Sequence, residues 1–130
     1  MIIDTSVIVA VLKNEPEARN LIRRMLRSES PLKMSAASYV ECGAVIDSVR
    51  DAVVSRRFDD LLNRIKMGIE PVTAKQAELA RQAYRDFGKG SGHPAGLNFG
   101  DCFAYALAKD TQEPLLFVGS DFSKTDIELA

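Results

Sequence analysis

The chain has 130 residues, 46% of them hydrophobic and 27% charged, the proportions of one folded domain with a core rather than a disordered tail. Lys and Arg total 17 against 18 Asp and Glu, a formal charge of −1, which excludes a histone-like polycation but not a local nucleic-acid site. The two cysteines, Cys42 and Cys102, form no C-x-x-C pair, so a disulfide scaffold or zinc ribbon is excluded and both read as core thiols. The opening Met1-Ile2-Ile3-Asp4 has no basic stretch and meets a charge too soon for a signal peptide. The apolar run from Val7 to Leu12 is far short of the ~20 residues a membrane span needs. A cytoplasmic protein is expected.

Met1–Ile3 reads as a short buried strand running into a helix through Asp4-Thr5-Ser6, whose oxygens suit orphan helix N–H groups. Asn14-Glu15-Pro16 stops that helix, and a second begins at Glu17, with Ala18, Leu21, Ile22, Met25 and Leu26 at helical spacing. Ser30-Pro31 breaks it, and Leu32–Met34 reads as a second strand. Ser35 caps a helix from Ala36 to Val49, whose inward face is assigned to Ala37, Val40, Ala44 and Val45, with Glu41 on the same side. A longer helix carries Val54, Phe58, Leu61, Leu62 and Ile65 and ends near Gly68. Ile69–Val72 is a third strand, and Thr73 caps a helix carrying Ala77, Ala80, Tyr84 and Phe87. Gly88–Gly96 is a Gly-rich loop, either a substrate loop or a tolerated insertion. An apolar helix from Asp101 to Lys109 precedes a last strand, Leu115–Val118. Strands alternating with helices, with apolar strand runs, predict an α/β sandwich around a central, mostly parallel sheet, a single domain over residues 1–130.

Four carboxylates then fall at one edge. Asp4 follows the first strand and Asp121 the last. Helices antiparallel to those strands bring their N-termini to the same carboxyl edge, where α/β sheets bind ligands. Asp101 lies in the first turn of such a helix. Glu41 lies about five residues into another and leans back toward its N-terminus. Singly, Asp4 and Asp101 could be N-caps, Glu41 could pair with an arginine, and Asp121 could be a turn residue. Together, crowded acids need a cation, and an all-oxygen set suits Mg²⁺ or Mn²⁺ better than zinc. His93, in the Gly-rich loop, is expected to be solvated. Arg19, Arg23 and Arg27, at four-residue spacing beside Arg24, either meet phosphates or form a solvated face, and the same holds for Arg56 and Arg57.

Ile2-Ile3-Asp4-Thr5-Ser6, Ala37-Ser38-Tyr39-Val40-Glu41 and Leu97-Asn98-Phe99-Gly100-Asp101-Cys102 together resemble the PIN-domain ribonucleases, and among them the VapC toxins of type II toxin–antitoxin modules. The resemblance spans essentially the whole chain in the family's motif order. It implies a PIN-like three-layer α/β/α sandwich, an RNA substrate and a Mg²⁺ or Mn²⁺ cofactor. It also implies a homodimer and a cognate VapB-like antitoxin. Asp4, Glu41 and Asp101 match the family's three principal acids and Asp121 its fourth, although Val118-Gly119-Ser120 departs from the segment many members carry before it. A PIN nuclease of RNA processing is a second reading. A haloacid-dehalogenase-like phosphatase is a third, but it wants a further Asp where Ser6 stands. A non-catalytic binding domain would have lost acids that this chain retains.

Overall fold

Four short strands, Ile2–Ile3 (β1), Lys33–Ser35 (β2), Gly68–Glu70 (β3) and Leu115–Leu116 (β4), form one sheet in the order β3-β2-β1-β4. Every pairing is parallel, with Ile2 beside both Lys33 and Leu115, and Met34 beside Ile69. The computed structural model describes residues 1–130. Parallel neighbours need long crossovers, and helices supply them. Thr5–Leu12 (α1) and Ala18–Leu26 (α2) join β1 to β2, whereas Ala36–Asp47 (α3) and Ala52–Arg64 (α4) join β2 to β3. Ala74–Phe87 (α5) and Asp101–Thr111 (α6) lead from β3 to β4, and a 3₁₀ turn, Phe122–Lys124, follows.

The strands are too short to alternate visibly, yet successive residues still point to opposite faces. Ile3 and Leu116 enter one core with Val7, Ile8, Met34 and Phe58, under α1 to α4. Ile2 and Leu115 enter the other with Ala80, Leu97, Tyr105 and Leu107, under α5 and α6. The result is the three-layer α/β/α sandwich. No helix is long and apolar enough to cross a membrane. The chain steps from β1 to β2 to β3 in one direction and then returns to lay β4 on the other side of β1. The gap between the carboxyl ends of β1 and β4 is therefore the topological switch point, where open α/β sheets hold ligands.

Several sequence expectations need correction. The buried face of α3 is Ser38, Cys42 and Ile46, not Ala37, Val40, Ala44 and Val45; Val40 is 67% and Val45 44% exposed. That helix is apolar nearly all round, so its periodicity has no single stripe to read. In α5 the buried positions are Gln76, Ala80 and Ala83, with Tyr84 turned outward. Leu26 is exposed, and the α2 stripe is Ala18, Leu21 and Met25 with Ile22 against it. The third strand starts at Gly68 rather than Ile69, and the fourth ends at Leu116. Capping fares better: Ser35 and Thr73 each accept a backbone N–H of the first helical turn that follows, and Asp51, which the sequence reading did not single out, does the same for α4.

Candidate active site

Asp4 is the N-cap of α1, its carboxylate accepting from the Ser6 amide at 3.0 Å and the Ser6 hydroxyl at 2.6 Å. It is only 5% exposed, because it sits at the switch point with sheet on both sides. Ser6 Oγ in turn accepts from the Val118 amide at 3.0 Å. One hydroxyl thus ties the first acid to the segment after β4 that carries Asp121.

Glu41 reaches the same place from α3. It lies at the margin of that helix's buried face and is half-buried. Thr5 Oγ1 donates toward Glu41 Oε2 and toward the Ser38 carbonyl, each at 3.3 Å. The carboxylate also abuts Gly100, immediately before α6. Asp101 opens α6 through a reciprocal pair: Asn98 Oδ1 accepts from the Asp101 amide, and Asp101 Oδ2 accepts from the Asn98 amide, both at 2.8 Å. This is a capping box, with Asn and Asp in the places of Ser/Thr and Glu. Asp121 lies on the exposed segment after β4, and its charge is felt by both Asp4 and Asp101. The structure therefore brings the four predicted acids to one edge.

Their electrostatics follow from that crowding. Burial raises the Asp4 carboxyl above its ordinary value against the Ser6 hydrogen bonds, and the Asp121 charge adds to it. Burial and then the Asp4 charge raise Glu41, with the Thr5 hydroxyl opposing. Burial pushes Asp101 up to about 6, against the Asn98 hydrogen bond, with Asp4, Asp121 and Glu41 all contributing repulsion. No cationic side chain forms a salt bridge with any of the four. In the arrangement seen, no three His, Cys, Asp or Glu side chains converge closely enough to hold an ion. The residues nonetheless suit a divalent cation: every donor is a hard oxygen, and the mutual repulsion is of the kind such an ion relieves.

Sequence reasoning missed three residues of this site. Thr5 and Ser6 read as helix-start residues, and nothing local says that their hydroxyls reach Glu41 and Val118. Gly100 carries no local signal. The two thiols are core groups, as expected, with burial pushing Cys42 up to about 12 and Cys102 up to about 11. His93 is not simply solvated: its Nδ1 accepts from the Ala95 amide at 3.1 Å, and its ring meets Phe87 edge-on. The Gly-rich segment is pinned at its ends, where Leu97 exchanges backbone hydrogen bonds with Phe87 and Lys89. The arginines at 19, 23, 27, 56 and 57 are exposed and make no ion pair.

Comparison with known proteins bears on the family and the fold. The chain is 53% identical over 130 residues to Ribonuclease VapC28 of Mycobacterium tuberculosis, covering 100% of this chain and 97% of that protein. Its fold is similar to VapBC2 from Rickettsia felis, solved bound to a DNA fragment from their promoter, with a TM-score of 0.78 at 14% identity over 99% of this chain and 96% of that one. It is also similar to M. tuberculosis VapC20, described as a Sarcin-Ricin loop cleaving toxin, with a TM-score of 0.68 at 17% identity over 94% of this chain and 92% of that one. The PIN domain model matches residues 1–128, and with a half-identical relative over its full length the chain belongs to the PIN domain family.

Proposed function

We propose that this chain is a metal-dependent endoribonuclease, a single PIN domain acting as the toxin of a type II toxin–antitoxin module. The observation that carries the reading is that four carboxylates near enough to repel one another, without a cationic partner, lie at the carboxyl edge of the sheet in a chain half identical to a VapC ribonuclease. Asp4, Glu41, Asp101 and Asp121 would hold Mg²⁺ or Mn²⁺. When bound, such an ion lowers the pKa of an attacking water and neutralises charge on the phosphodiester and its leaving oxygen. The protein's own part is orientation. Ser6 fixes the Asp4 carboxylate, Thr5 fixes one oxygen of Glu41, and the Asn98 pair fixes Asp101 at the start of α6. No Ser–His nucleophile pair is needed, and His93 is engaged with its own loop.

Single-stranded or looped RNA is the proposed substrate, because base reading needs unstacked nucleotides. The proposed partners are a VapB-like antitoxin and a second copy of the chain. The uncovered apolar side of α3 supports the second copy: Val40 and, beside Gly100, Phe99 at 72% exposure flank the acids. The cytoplasm is the proposed site of action. The test is cleavage of RNA by purified protein with Mg²⁺ or Mn²⁺. Activity should stop with EDTA and fall by orders of magnitude in Asp4→Asn, Glu41→Gln and Asp101→Asn at unchanged circular dichroism. Undiminished cutting in EDTA would sink the metal reading. Expression of the chain alone should arrest growth and an antitoxin should relieve it; a harmless but active enzyme would favour a nuclease of RNA processing.

A further inference from the structure

We propose that Gly100 is a positioning residue for the acid cluster: its missing side chain is the seat of the Glu41 carboxylate. The inference rests on the function proposed above and adds a residue to its machinery. The backbone does not call for glycine here. At φ −64° and ψ −41° Gly100 is helical, a conformation every L-residue adopts, and alanine would form the start of α6 better. Space does call for it. A Cβ at this position would stand 2.5 Å from the carboxyl carbon of Glu41 and nearer still to both its oxygens, well inside van der Waals contact. Glu41 is also held by the Thr5 hydroxyl at 3.3 Å, so the carboxylate touches both α1 and the entry to α6. What a new Cβ meets is the mobile end of a side chain and not backbone. The helix can therefore keep its place while Glu41 swings out of the cluster. A local choice that weakens its own element while fitting a distant functional group is a mark of a site.

The experiment compares wild type, Gly100→Ala, Glu41→Asp and the double variant. Each is read by RNA cleavage with Mn²⁺, by melting temperature in EDTA, and by the rise in melting temperature on adding Mn²⁺. Gly100→Ala should lose about 10- to 100-fold in kcat/KM, the usual effect of disturbing what orients a metal ligand, and most of the Mn²⁺-induced rise. In EDTA it should melt at or above wild type, since the displaced carboxylate leaves the other acids and alanine favours the helix. Aspartate withdraws the carboxylate by one C–C bond, roughly 1.5 Å, from the contested space. The double variant should therefore be no worse than Glu41→Asp alone, a non-additivity that reports direct contact. Three results would overturn the inference: wild-type activity and Mn²⁺ response in Gly100→Ala, a lower melting temperature for it in EDTA, or additive losses in the double variant. Wild type is the control for the function itself. If it neither cuts RNA nor responds to Mn²⁺, the proposed function fails, whereas an active wild type with an unaffected Gly100→Ala defeats this inference alone.

Discussion

Asp101 carries opposing demands on its charge. At the first turn of α6 an anion gains ~0.3–1 kcal/mol from the helix dipole, and the Asn98 amide adds a hydrogen bond. Burial and three neighbouring acids oppose ionisation and win, since the group sits at about 6 against an ordinary 3.8. A carboxylate raised in the folded state binds protons more tightly there than in the unfolded chain. Its contribution to stability is therefore complete below about pH 4 and is lost as pH rises toward 6. Without divalent metal, Asp101→Asn should melt about 3–5 °C above wild type at pH 7, reflecting about 1 kcal/mol after solvent screening, and level with it at pH 4. The asparagine oxygen still accepts from the Asn98 amide, so capping is retained. A variant that melts lower at pH 7 would show that the dipole outweighs the repulsion. Ser6 makes the complementary case. Ser6→Ala leaves the Val118 amide without its acceptor and leaves Asp4 with only the Ser6 amide of its two Ser6 donors, so it should cost about 1 kcal/mol in urea unfolding and lower cleavage as well. Intact cleavage in that variant would remove the clamp from the mechanism.

Among the elements, α3 shows where sequence periodicity reads and where it fails. Its cap, Ser35, and its start at Ala36 were legible, because an N-cap oxygen is a local requirement, whereas it ends at Asp47 and not at Val49. Its inward face was not, because Val40, Ala44 and Val45 make an outer side as apolar as the inner one. The amphipathic α2 and α4, with charged outer faces, read correctly in their main stripes. The same division holds in the site. Asp4, Glu41, Asp101 and Asp121 could be placed at one edge from strand and helix direction alone. The Thr5, Ser6 and Gly100 contacts join residues far apart in the chain, and no local pattern encodes them. The apolar outer side of α3 also carries a prediction for the proposed homodimer. Val40→Asp places a charge where a second copy is proposed to pack, so light scattering should find a monomer with unchanged circular dichroism. A Val40→Asp dimer would move the interface elsewhere.

For the whole molecule, alternation of strand and helix foretold a parallel sheet covered on both sides, but not the order β3-β2-β1-β4, which depends on where the last strand docks. That order sets the site, since it lays the segment that carries Asp121 beside the one that carries Asp4. A divalent ion binding only the folded state at a hundredfold excess over Kd adds about 2.7 kcal/mol, roughly 6–15 °C in melting temperature for a domain of this size. Wild type should show that rise with Mn²⁺ and Asp4→Asn should lose most of it; equal shifts would exclude Asp4 as a ligand. Because β4 pairs with β1 and supplies Leu115 and Leu116 to the two cores, a chain ending at Glu113 should lack a cooperative urea transition. A cooperative truncated chain would show that the remaining strands suffice. The pairing of Ile2 with Leu115 also has a meaning in time. The first strand to leave the ribosome waits for the last, and at ~5–20 residues per second that wait is several seconds. Throughout it Asp4 has no Asp121 beside it, so the metal site proposed here stays incomplete in the growing polypeptide until the last strand has emerged and docked.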